Sequence, residues 1–315
     1  MTTPRTADLP AKEPQVTILL CTYNGGLFLE EQLASIAAQT HQNWRLIISD
    51  DGSHDETLDI LQRGIADRSK IEIRSGPQLG PCKNYMSLVT DGRIEGDYFA
   101  FCDQDDIWQP DKIERAVAGL SGLLDAEPAL YCSRLRLIDA NGQHLGYSRR
   151  WTKPPSFENA LVENIASGNT IVMNSRARQL LVQAGNLDVA MHDWWAYMLI
   201  AGAGGFVRFD EIPSTLYRQH QVNAIGVERG FGAIGKRFKR LWSQSFAEKT
   251  EMNISALQSC RHLLRAENRF ILDFFVALRT SSAIFRLLSL RKAKIYRQTV
   301  LDQVSLIFAV AMKLV

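Results

Sequence analysis

An α/β fold built on a mostly parallel central sheet is what this sequence predicts, and three observations carry the prediction. Runs such as "QVTILLCTY" and "DYFAFC" are apolar at consecutive positions, as strands covered on both faces are. Each strand-like run is followed by a segment with helical spacing of its apolar residues, so strands and helices alternate. Polar residues concentrate where the strands end, which is where an open parallel sheet forms its crevice.

The elements follow in order. After the first strand, "FLEEQLASIAAQ" sets Leu29, Leu33, Ile36 and Ala37 at helical spacing. "WRLIISDDGS" is the second strand. "SHDETLDILQRGI" then reads as a helix with a capping-box pattern at Ser53 and Glu56 and with Leu58, Leu61 and Ile65 on one face. "KIEIRS" is a third strand, ahead of a helix around residues 84–89. "DYFAFC" is a fourth, ahead of a helix from Asp111 that aligns Ile113, Val117, Leu120 and Leu124, with Pro110 marking its first turn. Further on, "ALYCSRLRLIDANGQHL" reads as a strand entering an Asn-Gly turn. "TIVMN" and "GGFVRF" read as strands flanking the helical stretches "RARQLLVQA" and "DWWAYMLIA". The expected organisation is a polar tail over 1–14, one catalytic domain over 15–223 and a basic amphipathic helical region over 224–315.

With 46% hydrophobic and 22% charged residues, the chain has the composition of a folded globular protein. Its net charge of +2 conceals an asymmetry: residues 229–315 carry 16 Lys and Arg against 5 Asp and Glu, whereas residues 1–228 carry 20 against 29. The five cysteines (Cys21, Cys82, Cys102, Cys132 and Cys260) show no paired spacing, and several fall in apolar strand-like runs, which points to a reducing cytoplasm. The start "MTTPRTADLPAKEP" has no signal-peptide core, and no run reaches the roughly 18 apolar residues of a spanning helix. A secreted or membrane-spanning protein is therefore not expected, while surface attachment stays open. "GKRFKRLW" and "RLLSLRKAKIYRQTV" set cations among apolar residues at near-helical spacing, which suits nucleic acid, an anionic membrane or a solvated helix face.

The strand ends hold the chemistry. Thr22, Tyr23 and Asn24 end the first strand, Asp50 and Asp51 the second, and Asp103, Gln104, Asp105 and Asp106 follow the fourth. "DGS" alone is also ordinary turn chemistry. A helix needs one cap, so capping does not account for the clustered aspartates. Hard oxygen ligands at one locus suit Mg2+ or Mn2+, which commonly bridge carboxylates and substrate phosphates. Neither GxGxxG after the first strand nor GxxxxGK[ST] occurs, which argues against dinucleotide oxidoreductases and P-loop enzymes. Asp193, just ahead of an apolar helix, reads on its own as a good N-cap, with Trp194, Trp195 and Met198 as core anchors.

The ordered set "TYN", "SDDGS", "DQDDIW", "HDWW" and "YRQH" resembles glycosyltransferase family 2, and most closely its rhamnosyltransferase-like branch of bacterial surface-polysaccharide enzymes, over Val16 to Asn223. The resemblance implies a GT-A fold, an αβα sandwich that takes a nucleotide-diphosphate sugar and inverts the anomeric centre. It implies dTDP-L-rhamnose or a UDP-hexose as donor and a lipid-linked saccharide as acceptor. It favours an anionic membrane over nucleic acid as partner of the basic region, on the inner face of the cytoplasmic membrane. By position, Thr22, Tyr23, Asn24, Asp50 and Asp51 would line the nucleotide pocket, with Lys83 and Asn84 near it. Asp103 and Asp105 match the DxD element, with Asp105 the direct metal ligand, Asp103 reaching ribose or metal, and His220 completing the metal shell. Asp193 matches the general base. Ser167, Gly168 and Asn169 would floor the acceptor site, although a plain turn explains them as well. Trp108, His192, Trp194, Trp195 and Arg218 would meet acceptor or sugar. The alternative is a noncatalytic nucleotide-sugar-binding or scaffolding subunit at the membrane.

Overall fold

The computed structural model describes residues 13–64, 67–123, 126–220 and 244–312. Among them a nine-stranded sheet forms the centre, and its first half is parallel. β1 (Val16–Thr22) pairs with β2 (Trp44–Asp50) on one side and β4 (Tyr98–Cys102) on the other, and β2 pairs with β3 (Ile71–Ser75). The register sets Thr22 beside Asp50 and Leu20 beside Cys102, so the three strands end at one edge. The helices α1 (Leu29–Ala37), α2 (Thr57–Arg63) and α3 (Pro81–Val89) follow β1, β2 and β3.

Alternate residues of these strands enter two separate cores, which explains their continuous apolar runs. Ile18, Leu20, Leu46 and Ile48 share one core with Leu29, Leu33 and Ile36 of α1. Leu19, Cys21, Ile47, Phe99 and Phe101 share the other with Tyr85, Met86 and Val89 of α3. A helix layer on each face gives the expected αβα sandwich.

The second half of the sheet is mixed. β8 (Val172–Asn174) lies antiparallel between β4 and β6 (Ala129–Ile138), and β6 runs parallel to β9 (Phe206–Arg218). β5 (Ile107–Trp108) adds to β9, and β7 (His144–Tyr147) returns from β6 after Gly142, whose φ is +79°. β9 runs well beyond "GGFVRF", through Pro213. A register shift between Ser133 and Leu135 opens the β6–β9 ladder there, the kind of irregularity in which a strand tolerates a residue without an N–H. α4 (Lys112–Leu120), α5 (Phe157–Ala160), α6 (Ser175–Ala184) and α7 (His192–Gly202) complete this part.

Two local expectations change. Ser53 does not cap α2: its N-cap is Glu56, without a side-chain bond, while the Ser53 hydroxyl donates to Asp50. Ile60 rather than Leu58 is buried beside Leu61, and Leu58 faces solvent.

The C-terminal helices α8 (Gln244–Ser259), α9 (Ala266–Thr280), α10 (Ala283–Lys292) and α11 (Val300–Ala311) have no core of their own. Leu257, Leu264, Phe275 and Leu306 belong to the core that holds Trp195 and Ile200 of α7. A Cβ on Gly202 would lie 2.8 Å from Leu264 Cδ2, and Asn268 Nδ2 donates to the Gly202 carbonyl at 2.9 Å. Arg149 pairs with Asp302 at 2.6 Å, and the Gln298 amide donates to Glu163 at 2.7 Å. "RLLSLRKAKIYRQTV" is not one helix: α10 ends at Lys292, Lys294 takes φ +52°, and Leu290 and Ile295 turn inward. "GKRFKRLW" lies outside the described residues.

Because one core serves both parts, Leu257→Ala is expected to cost about 2–5 kcal/mol and to shift a single cooperative transition. Two separate melting transitions by calorimetry would contradict the shared core.

Candidate active site

The loops after β1 and β2 are knitted together from within. Asp50 accepts from Thr22 Oγ1 at 2.8 Å, from Ser53 N at 2.9 Å and from Ser53 Oγ at 2.6 Å. Asp51 accepts from the amides of Gln78 at 2.7 Å and Gly80 at 2.8 Å, which holds the loop before α3 against the strand end. Asn84 is buried and exchanges two hydrogen bonds with Ser49, at 2.5 and 2.9 Å. Lys83 instead ion-pairs with Asp188 and reaches the Leu187 carbonyl at 3.4 Å. Asn24 takes a left-handed φ of +47°, and its side chain accepts from His54 N at 2.9 Å.

Gln104, which the sequence reading left without a role, joins the first loop to the fourth. Its Oε1 accepts from Tyr23 N at 2.8 Å and its Nε2 donates to Tyr23 O at 3.0 Å, while the Tyr23 side chain stays exposed. The amide occupies the space that a Cβ at residue 25 would need, which accounts for Gly25.

The aspartates after β4 part company. Asp103 is held by the Tyr85 hydroxyl at 2.7 Å; burial, and then repulsion from Asp105, push its pKa up to about 7. Asp105 is partly exposed, and its Oδ2 lies 2.7 Å from His220 Nε2, whose ring packs on Phe28. Asp106 is fully buried, accepts from Asn169 Nδ2 at 2.5 Å and from Arg218 N at 3.2 Å, and is pushed well above the ordinary carboxylate range, chiefly by burial. Lys112 is buried too: its ammonium donates to Asn169 O at 2.9 Å and Thr215 Oγ1 at 3.2 Å, and burial brings its pKa down to about 7.

Arg218 is likewise committed inside the protein. Its guanidinium donates to the carbonyls of Asp105 at 3.1 Å and Ala140 at 3.0 Å and to Glu31 at 2.6 Å. It braces the acidic loop instead of facing a leaving group. Part of the positive charge that the aspartate cluster demands is thus the chain's own, from Lys112 and Arg218.

Asp105 and His220 nevertheless bring a carboxylate oxygen, a hard donor of the kind Mg2+ or Mn2+ takes, within 2.7 Å of an imidazole nitrogen, a softer donor. Among the described residues no three His, Cys, Asp or Glu side chains converge on one point. Mg2+ commonly takes only one or two protein ligands and fills the remainder with phosphate and water, so the pair fits such an ion.

Asp193, on α7, is tied to the acids after β4 through the 168–170 turn. It is not the cap of α7; Met191 is, without a side-chain bond, and Asp193 is the second helical residue. Its oxygens accept from Trp194 N at 2.6 Å and Gly168 N at 3.1 Å, with a further bond to the Asn164 side chain. Burial pushes its pKa up to about 6. His192 stacks on Tyr85 with ring centroids 4.0 Å apart, and burial lowers its pKa to about 3, so the imidazole is neutral. A Cβ at residue 168 would lie 2.9 Å from His192 Nε2, so Gly168 permits this approach. The 168–170 turn therefore bonds to Asp193 through Gly168 and to Asp106 through Asn169, while Ser167 Oγ donates to Asn169 Oδ1 at 2.8 Å.

The three tryptophans belong to the core. Trp108 packs with Ile113 and Ala116 of α4, Trp194 donates to Ala160 O at 2.7 Å, and Trp195 is fully buried. The expectation that these rings meet sugar is replaced by a packing role. Tyr85 and Lys112 carry site contacts that sequence reasoning missed. The available signal was a tyrosine and a lysine standing on the apolar faces of their helices. Removing the Asn169 amide leaves Asp106 short of a donor, so Asn169→Ala is expected to lower stability by about 1–3 kcal/mol, read from urea unfolding.

Residues 17–181 match the family described as Glycosyl transferase family 2. The dTDP-rhamnosyl transferase RfbG of Shigella flexneri is 31% identical over 234 residues, which are 70% of this chain and 78% of that protein. The putative teichuronic acid biosynthesis glycosyltransferase TuaG of Bacillus subtilis (strain 168) is 29% identical over 180 residues, 56% of this chain and 68% of that one. Among solved structures, S. aureus TarS 1-349 in complex with UDP-GlcNAc aligns with a TM-score of 0.50 at 15% identity, over 89% of this chain and 90% of that chain. That likeness is one of fold, and it agrees with the GT-A sandwich. With the family match spanning half the chain and the Shigella relative covered over most of its length, the chain belongs to glycosyl transferase family 2.

Proposed function

We propose that this chain is an inverting, metal-dependent glycosyltransferase that moves a sugar from a nucleoside-diphosphate donor to a hydroxyl of a lipid-linked saccharide, in synthesis of a cell-surface polysaccharide. The carrying observation is that Tyr85 donates to Asp103 and stacks on His192, the neighbour of Asp193, while the 168–170 turn bonds to both Asp193 and Asp106, so the acid of α7 and the acids after β4 are held together. L-Rhamnose from dTDP-L-rhamnose is the favoured cargo because the Shigella relative is named a dTDP-rhamnosyl transferase, and a hexose from a UDP-sugar is the second choice. Work on a lipid-linked acceptor places the protein at the inner face of the cytoplasmic membrane, with its basic C-terminal region toward the lipid.

Asp105 and His220 would hold Mg2+ or Mn2+, which when bound neutralises charge on the donor diphosphate. Asp103, oriented by the Tyr85 hydroxyl, turns its other oxygen to the donor. Thr22, Asn24, Asp50, Asp51 and Asn84 shape the nucleotide wall through the loops they bind together. Arg218 keeps the acidic loop at its station by gripping the Asp105 carbonyl. Ser167, Gly168 and Asn169 form the acceptor floor. Asp193 takes the proton of the acceptor hydroxyl while that oxygen attacks the face opposite the departing diphosphate, which inverts the centre. A buried carboxylate with a pKa near 6 is a better base than an ordinary one and is still ionised at neutral pH.

Asp193→Asn is expected to lower turnover about 100-fold to 10,000-fold with donor binding retained. Near-normal turnover in this variant would remove Asp193 as the base. Because the ionised form does the work, turnover should rise with pH and reach half its plateau near pH 6. Stability moves the other way. The folded pKa of about 6 lies above the ordinary 3.8, so the folded state holds the proton longer and stability falls as pH climbs from 3.8 to about 6. Relative to the parent, Asp193→Asn should therefore lose less in melting temperature at pH 7.5 than at pH 4, the lost acceptor being offset at the higher pH by removal of the buried charge.

Calorimetry of donor binding tests the ion. Asp105→Ala and EDTA should each weaken donor capture, and capture undiminished by both would exclude the metal. Donor binding without release of nucleoside diphosphate, across a broad acceptor panel, would favour the noncatalytic alternative.

A further inference from the structure

The outward face of α11 is apolar from end to end. Val300, Leu301, Val304, Ile307, Phe308 and Met312 are 77, 57, 49, 40, 53 and 57% exposed, and their spacing puts them on one side of the helix and its C-cap. The helix has one ionisable residue, Asp302, and that residue points inward. It pairs with Arg149 at 2.6 Å and accepts from Thr299 Oγ1 at 2.6 Å. Leu306, Ala309 and Val310 fill the core on the same inner side. The ion pair fixes the roll of α11, so the apolar stripe is held toward the outside. A contiguous stripe of this kind marks an interaction surface.

Charge selects the partner. From Ser281 to Met312 the sequence contains one acid, the buried Asp302, whereas Arg291, Lys292 and Lys294 are exposed in and just after the last turn of α10. The exposed charge of this part of the chain is thus of one sign, which an anionic lipid surface attracts and a second copy of the same segment repels. The twelve residues of α11 span about 18 Å, too short to cross a bilayer. No helix among the described residues is long and apolar enough to cross one.

We propose that α11 is an interfacial helix that lies flat in an anionic bilayer, with Val300, Leu301, Val304 and Ile307 inserted among the headgroups and Arg291, Lys292 and Lys294 set against lipid phosphates. The inference rests on the membrane-surface part of the proposed function and assigns attachment to this one face.

Co-sedimentation of the full chain with phosphatidylcholine vesicles, with and without about 30% phosphatidylglycerol, tests it. The parent should bind the anionic vesicles, and the double variant Leu301→Ser/Ile307→Ser should lose about tenfold or more of that binding with an unchanged melting temperature. Val300→Ser/Val304→Ser is a second variant for the same readout should the first melt early. Full binding by both variants would overturn the role of α11 while leaving membrane attachment in place through another segment. Absence of binding by the parent would overturn both. A parent that is dimeric by light scattering, made monomeric by the substitutions and indifferent to vesicles, would show the face to be a subunit contact instead.

Discussion

The geometry of the crevice depends on the buried carboxylate of Asp106. It meets the Asn169 amide and the Arg218 backbone N–H in one place, so the end of β4, the 168–170 turn and the end of β9 converge there. With no water available, a missing partner is costly, and the arrangement has little freedom to slide. Lys112, on α4, bonds to the Asn169 carbonyl from the other side with an amine that burial leaves only partly protonated near neutral pH. Since Gly168 of the same turn donates to Asp193, the distance between the two acidic elements is set by a path only one residue long. The spacing between Asp193 and the acids after β4 is therefore a property of the turn and not of the loops above it.

Much of this was legible in the sequence. The strands of the parallel half announce themselves because they are buried on both faces, and the polar residues at their ends could only fall at one edge. Other parts were hidden for physical reasons. β5 is two residues long and carries no periodicity, and β9 contains a proline that argues against a strand until the irregularity in its ladder is seen. Lys112 opens a helix, where a lysine ordinarily reaches water; only the folded chain shows its ammonium enclosed by Asn169, Thr215 and Trp108. The tryptophans at 108, 194 and 195 carry no mark that separates a sugar platform from a core anchor, because the same ring serves either. Asp193 read on its own as a cap, and the structure removes that reading by giving the N-cap of α7 to Met191.

The basic region teaches the same lesson in another form. An excess of cations could be counted from residue 229 onward, but a count does not tell which side of a helix meets the protein. Leu290, Ile295 and Leu306 join the core that holds Trp195, so the helices are a wall of that core as well as an outer surface.

α7 carries a longer-range consequence. From Asp193 to Gly202 every residue is buried, the first turn is held by Gly168 and the last by Asn268. A helix with no exposed side has little room for a side chain of another volume, so α7 is the least adjustable element of the structure. Laboratory libraries that reach into the apolar positions of α7 would return mostly chains that do not fold.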